Sequence, residues 1–333
     1  MYIKADRILS GITGGAINSA QLQALLADPG YLGAFRSGIL YSPPRRDVLL
    51  ASPQAAAVVA GSALAVAELL GKSSLLTAVL ADSSWFAALV CSPTAVPLVY
   101  ASATGIATLF GADRKAVFAP HAAQMTLSGS EVTAWRDYVG ATQLWGGAAG
   151  ARPTFDGPAP NGFTSVAFDG VNDALSAGPS GLFAAAATTF YVVVRPTTMT
   201  SDRVWIAEGG AGGGYIGSSG TGGVLQAYSG GTYNFAAPHV PTANTWQLYR
   251  LRKDSGSLYI KRNSSAEVSA GAMTFNAGAQ PLIVGHRLNG SSVPERFFAG
   301  QIAEIVNLGK SAGDADADNI RITELLRSKY ALW

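Results

Sequence analysis

The sequence predicts a mainly β protein with an α-helical N-terminal part, in which short helices built on a ten-residue repeat precede a β-sandwich of jelly-roll type. Three observations carry this prediction. Between residues 42 and 118, small polar residues and aliphatic pairs each recur every ten positions. Beyond residue 131, short apolar or alternating runs are separated by glycine-rich turns. A single helical pattern, DADADNIRITELLRSKYAL, closes the chain.

Composition narrows the function. The 333 residues suffice for two domains. Lys and Arg total 23 against 21 Asp and Glu, so no basic excess exists to neutralise phosphates, and nucleic acid is not expected as a partner. Cys91 is the single cysteine, which excludes an internal disulfide and a cysteine-based zinc site. The opening MYIKADRILSGITGGA has no apolar core after its positive residues and does not read as a secretory signal.

From Ser42 the repeat runs SPPRRDVLLA, SPQAAAVVAG, SALAVAELLG, KSSLLTAVLA, DSSWFAALVC, SPTAVPLVYA, SATGIATLFG, ADRKAVFAPH. Ser42, Ser52, Ser62, Asp82, Ser92 and Ser102 share one phase and are suited to cap a helix N-terminus. Pro29, Pro43, Pro53 and Pro93 follow such a cap, where the missing N–H costs nothing. Gly61, Gly71 and Gly111 are expected to end their helices in a left-handed conformation. Helices this short need neighbours, so a stacked staircase is predicted. Residues 83–112 carry no charge and pass the length test for a membrane span, yet Pro93 and Pro97 interrupt them and the caps recur. No membrane span is predicted.

In the second part, TTFYVVVRP, RVWIAEG, GGVLQAYSG, TWQLYRLRK, GSLYIKRN and PLIVGH read as strands. LRKDSGSLYIKRN signals a hairpin turning at Asp254-Ser255-Gly256. Trp135, Trp205 and Trp246 sit in strand-like contexts and are read as core.

Certain segments of this part occur in a fixed order. Trp135 and Asp137 come first, then Arg152-Pro153, Asn161-Gly162, and Phe168-Asp169-Gly170 with Asp173 and Leu175; FFAGQIAEIV and a helix closing in Lys329-Tyr330 come last. In that order they resemble the opening and ending of concanavalin A-like (laminin-G-type) lectin domains of phage and bacterial surface proteins. The decads resemble, more loosely, the serine- and alanine-rich repeats of phage tail and head fibre proteins. Together these resemblances imply a fibre or spike of a phage or phage-like particle, on the virion surface and made in the bacterial cytoplasm. The implied divisions are an attachment segment (1–17), a repeat domain for assembly (18–118), a linker (119–130) and a lectin domain (131–333).

The glucanases of that fold carry E-x-D-x-x-E on one strand, and the spacing is absent here. Glu304 stands alone and is read as structural; His121, His239 and His286 are isolated; no serine sits in a nucleophile elbow. The expectation is therefore a protein that is not an enzyme and needs no cofactor. DADAD (Asp314, Asp316, Asp318) imitates a calcium loop but lacks its glycine and final glutamate, so a solvated helix start is expected. Asp169 and Asp173 are read as tying down a turn; a calcium site is the alternative that some laminin-G relatives imply. EGGAGGGYIGSSGTGG is read as a series of β-turns.

Sugar recognition needs an aromatic face for the C–H side of a ring and amide or charged groups for its hydroxyls. Tyr215, Tyr228, Tyr233, Asn234, Arg287 and Asn289, in or beside glycine-rich loops, are the candidate carbohydrate-binding residues. The expected partners are host cell-surface polysaccharide, other virion proteins through the N-terminal part, and further copies of the chain, with a trimer favoured. A decoration protein without ligand binding, or a glycan-degrading enzyme, are the alternatives.

Overall fold

The computed structural model describes residues 2–140, 142–179, 182, 187–198, 202–209, 215–218, 225–229, 232–236, 239–272, 280–289 and 291–333; at 156, 179, 225–229 and 232–236 it describes the backbone alone. The chain divides into two compact units, Met1–Gly111 and Ala112–Trp333.

The first unit is helical: Tyr2–Thr13, Ser19–Leu26, Pro29–Phe35 (continuing into a π-helical turn, Arg36–Leu40), Pro43–Leu50, Pro53–Ala60, Ala63–Leu70, Ser73–Ala81, Ser83–Val90, Ala95–Ala101 and Ala103–Phe110. Capping starts most of them. The side chains of Asn18, Asp28, Ser52, Ser62, Asp82 and Ser102 accept from backbone N–H groups of the first turn. Pro29, Pro43 and Pro53 open their helices. Three sites differ from expectation: Ser42 makes no side-chain cap bond, Lys72 occupies a cap position, and the helix after Ser92 and Pro93 starts only at Ala95, with Thr94 before it, although the Ser92 hydroxyl still accepts from the Ala95 N–H.

The glycine reading needs correction. Gly111 has a positive φ (76°) that favours glycine, but its ψ of −177° is extended and not left-handed helical, and Gly61 and Gly71 stay right-handed (φ −83° and −62°). Gly61 is required for space instead: a Cβ there would lie 2.6 Å from the Cβ of Ser19 on a neighbouring helix. The helices Pro53–Ala60 and Ala63–Leu70 meet at 104°, and Ser73–Ala81 and Ser83–Val90 at 101°. From Pro53 on, helices consequently pack on the one three places later: Pro53–Ala60 on Ser83–Val90, Ala63–Leu70 on Ala95–Ala101, Ser73–Ala81 on Ala103–Phe110. The unit is a three-sided coil of helices. Val58, Val59, Leu69, Val79, Leu89, Val90 and Leu109 fill its interior. Among the described residues no single helix is long and apolar enough to cross a membrane.

Two boundaries shift. The last decad is not a helix; Arg114–Phe118 is a strand paired with Ala299–Leu308 in the second unit, because Ala116, Val117 and Phe118 bury into a sheet. Residues 119–130 include the strand Met125–Ser128, and Tyr2–Thr13 packs on other helices of the first unit.

The second unit is an antiparallel β-sandwich. Its first layer runs Val268–Ala272, Ser257–Arg262, Gln247–Asp254, Thr188–Pro196, Ala299–Leu308. Beyond that strand, Thr164–Asp169 pairs with its first half and Arg114–Phe118 with its second. The other layer runs Met125–Ser128, Glu131–Arg136, Gln143–Gly146, Leu175–Pro179, Pro281–Val284, Arg203–Glu208, Tyr215–Ser218, Leu225–Ser229, Thr232–Ala236. Alternation sends Phe190, Val192, Val194, Tyr249 and Leu251 inward from the first layer to meet Trp135, Trp205, Ile206, Leu282 and Val284 from the second. Trp135 and Trp205 are buried as expected, whereas Trp246 is half-buried. The predicted hairpin turns through Ser255 (φ 48°) and Gly256 (φ 85°), the paired positive angles of a type I′ turn.

The helix Ala317–Lys329 lies on the outer face of the first layer, burying Ile322, Leu325 and Leu326. Asp316 caps it by accepting from the N–H groups of Asp318 and Asn319. The residues that carried the lectin resemblance shape loops around this frame. Asp137 accepts from the N–H groups of Val139, Gly140 and Thr142, and Asn161 (φ 56°) donates to the carbonyls of Ser328 and Lys329 at the helix end.

Candidate functional site

The six predicted sugar-binding residues fall into three situations. Tyr215 is fully buried, on the face of its layer turned from the main core, with Val204, Ala207 and Ile283. Arg287 covers its ring at 4.8 Å and Arg296 Nη1 donates to its hydroxyl at 2.5 Å. The ring offers no sugar platform as it stands, and that expectation is corrected: alternation along Tyr215–Ser218 points it into an apolar cluster. Arg287 donates through Nε to Glu295 at 2.7 Å, and Asn289 Oδ1 accepts from the N–H groups of Ser291 and Val293, so both hold the hairpin Arg287–Leu288/Pro294–Glu295. Tyr228, Tyr233 and Asn234 have their backbone in paired strands, with Tyr215 opposite Tyr228 and Tyr228 opposite Tyr233; their side chains lie outside the described residues. Most of the glycine-rich stretch around Tyr215 also lies outside them.

A different place combines the chemistry expected of a sugar site. Between the helix Ala317–Lys329 and the end of the strand Ser257–Arg262 lies a groove of about 520 Å³, within the usual range for ligand sites. One helix face supplies Asn319, Ile320, Thr323, Glu324 and Arg327, whose spacing of one, three or four residues stacks them side by side. Lys261, Asn263 and Ser264 form the opposite wall, with Asp314 and Trp333 completing the lining.

The polar lining is held in place. Asp314 Oδ1 accepts from Lys261 Nζ at 3.0 Å and from the buried Arg250 Nη2 at 2.7 Å. Burial pushes the Asp314 carboxyl upward, but these two cations outweigh it and hold it below its ordinary value. Glu324 receives both Arg327 Nε (3.0 Å) and Nη2 (2.7 Å), and Asn263 Oδ1 accepts from the Leu248 N–H at 2.8 Å. Trp333 is 46% exposed. Its position follows from how the helix ends: Ala331 turns left-handed (φ 47°), the Leu332 N–H reaches back to the Arg327 carbonyl, and the Leu332 side chain buries. This is a Schellman termination with alanine where glycine is usual.

Behind the groove, the helix is locked to the sheet. Lys329 Nζ meets Glu304 Oε2 at 2.7 Å with both side chains fully buried, and the Tyr330 hydroxyl donates toward the same oxygen. Glu304 is structural, as read from sequence. His121 accepts or donates at 2.6 Å to the Tyr138 hydroxyl; burial first, and the Lys329 charge second, push its pKa down to about 2. His286 stacks on Phe297 and is lowered to about 4 by burial.

The helix start is not simply solvated. Asp316 and Asp318 both pair with Lys310, and Asp318 also with Arg321. Asp169 Oδ1 accepts from the N–H groups of Val171, Asn172 and Asp173, while Asp173 accepts from the Asp169 N–H, so the pair ties down its turn. Among the described residues no group of three or more histidine, cysteine or acidic side chains is placed to hold a metal ion.

The groove had a faint signal in the sequence: polar residues at helical spacing beside an aromatic at the chain's last position. Its other wall, some fifty residues earlier, had none.

No protein-family model matches the chain, and no curated protein matches it. Solved structures similar to it include domain 4 of an extracellular arabinanase from Geobacillus stearothermophilus in complex with arabinotriose (13% identity, TM-score 0.45, 64% of this chain and 98% of that one). A Trypanosoma rangeli sialidase mutant displaying trans-sialidase activity is similar at 10% identity and TM-score 0.48, over 67% of this chain and 34% of that one. The receptor-binding domain of botulinum neurotoxin type G is similar at 11% identity and TM-score 0.43, over 64% and 52%. The match thus spans about a third of the sialidase and half of the toxin domain. The arabinanase and the sialidase are enzymes, and the expectation that this chain is not one is withdrawn. The missing E-x-D-x-x-E spacing excluded only carboxylates placed on one strand, whereas a fold can bring them together from separate elements.

Proposed function

We propose that the second unit is a concanavalin A-like lectin domain that binds a host cell-surface polysaccharide, and that the chain is a fibre or spike of a phage or phage-like particle. The groove carries this reading: an exposed tryptophan beside fixed amide, carboxylate and guanidinium groups suits a hydroxyl-rich ligand. The ordered motifs from Trp135 to Tyr330 support the lectin assignment. The helical unit is then the assembly part, docking to other virion proteins and to copies of itself as a homo-oligomer, with a trimer favoured. Single sugar sites are weak, and several copies on one particle would turn weak contacts into firm adsorption.

The test mixes the full chain with polysaccharide purified from bacterial surfaces. Co-sedimentation of protein and polymer is expected, and size-exclusion of the recovered polymer reads whether its chains are shortened. Shortening would make the domain glycan-active as well as glycan-binding. No association with any polymer would leave a structural decoration protein. Light scattering that finds a monomer alone would remove the oligomeric part of the reading.

A further inference from the structure

We propose that the groove between the helix Ala317–Lys329 and the strand Ser257–Arg262 takes a neutral glycan chain, one sugar ring lying on Trp333 and its hydroxyls held by Asp314, Asn263 and the Glu324–Arg327 pair. This rests on the glycan-binding reading and names the site and ligand class, neither of which was among the residues chosen from sequence.

Charge decides the class. Both carboxylates of the lining already hold cations: Asp314 holds Lys261 and Arg250, and Glu324 holds Arg327. The cations of the lining are likewise engaged, so an acidic sugar gains an ammonium or guanidinium only in competition with the carboxylate already paired to it. A cationic ligand meets the mirror-image obstacle. Neutral hydroxyls require no such exchange, because each can accept from a paired cation or donate to a paired carboxylate while the ion pairs stay intact.

Order supports affinity. Asp314, Glu324 and Asn263 are each fixed by the bonds described above, so little side-chain freedom is lost when a ligand arrives. Trp333 adds an apolar face at one end of the groove, held by the buried Leu332 next to it. The remaining lining is the neutral polar Thr323, Ser264 and Asn319 with the apolar Ile320.

The experiment is calorimetric titration of the full chain with neutral polymers (dextran, mannan, galactan) and acidic ones (alginate, polygalacturonate). Binding to at least one neutral polymer is expected, little changed by salt because exposed net charge makes no contribution. Trp333→Ala should weaken it about tenfold, and Asp314→Asn should weaken it while leaving the thermal transition of the fold in place. Trp145→Ala, which removes another exposed tryptophan outside the groove, should bind as the unaltered chain does. Unaltered affinity in both Trp333→Ala and Asp314→Asn, or binding confined to acidic polymers, would overturn the proposal and leave glycan binding standing. If no polymer of either class binds, the glycan-binding reading falls and this proposal with it.

Discussion

Lys329 and Glu304 make the point that a charged residue in a motif can serve packing. Each is fully buried, 2.7 Å from the other, and the Lys329 ammonium also lies 4.9 Å from the Phe163 ring centre. Such a pair adds little net stability over a well-packed apolar pair, but either half alone is a buried, unmatched charge. Lys329→Met should therefore cost about 3–5 kcal/mol in urea unfolding. The double variant Lys329→Met with Glu304→Gln should recover most of that loss. Equal destabilisation by the single and double variants would mean that the lysine stem, not its charge, fastens the helix. Leu69, buried in the helical unit, presents the simpler case. Leu69→Asp places an unpaired carboxylate among aliphatic side chains and should cost about 4 kcal/mol or more, read as lost helical signal at lower temperature.

At the scale of elements, helix ends decide where side chains stand. The N-caps of the first unit were legible because a serine or aspartate before an apolar run has one dominant use. The C-termini were less so: Gly61 was read for backbone freedom, yet the structure needs it for closeness to Ser19. At the end of Ala317–Lys329 the reverse holds, since a left-handed turn falls on Ala331, which no sequence rule marks. An L-residue with a Cβ pays in that conformation, so Ala331→Gly should raise stability by about 1 kcal/mol. Trp333 should keep its place, and the melting temperature reads the outcome. An unchanged or lowered melting temperature would show that the turn is held by the burial of Leu332 alone.

For the whole molecule, the two-part division and the antiparallel sandwich were legible, because period and turn chemistry change abruptly along the chain. The site was not. Its walls come from residues 261–264 and 314–333, and they meet only because Thr188–Pro196 pairs with Gln247–Asp254 on one side and Ala299–Leu308 on the other. Tyr215 looked exposed for the opposite reason: sheet alternation, invisible without a register, turns it into the small apolar cluster with Val204, Ala207 and Ile283. Burial of His121 and His286 sets how the sandwich responds to acid. Above pH 6.5 both imidazoles are neutral folded or unfolded and add no pH dependence. Below it the unfolded chain takes up protons that the folded chain refuses, down to about 4 for His286 and about 2 for His121. Stability should fall with pH by up to about 1.4 kcal/mol per unit for each histidine. Urea titrations followed by fluorescence of the buried Trp135 and Trp205 would measure the slope. His286→Phe should flatten it by about a third, because burial also holds the His239 imidazole below its ordinary value, and an unchanged slope would place the acid response in other groups.

The three-sided coil turns chain length into an angle. With about one hundred degrees between Pro53–Ala60 and Ala63–Leu70 and between Ser73–Ala81 and Ser83–Val90, inserting ten residues rotates the helices that follow onto the next side. Bonds that join one turn to the next, such as Arg36 to Glu68, Ser92 to the Ala60 carbonyl and Thr104 to Ser73, span 31 or 32 residues and would lose their partners. Inserting a full turn restores the bearing and adds one storey. Such a coil can be lengthened or shortened only in whole storeys, like a stair whose landings must stay above one another.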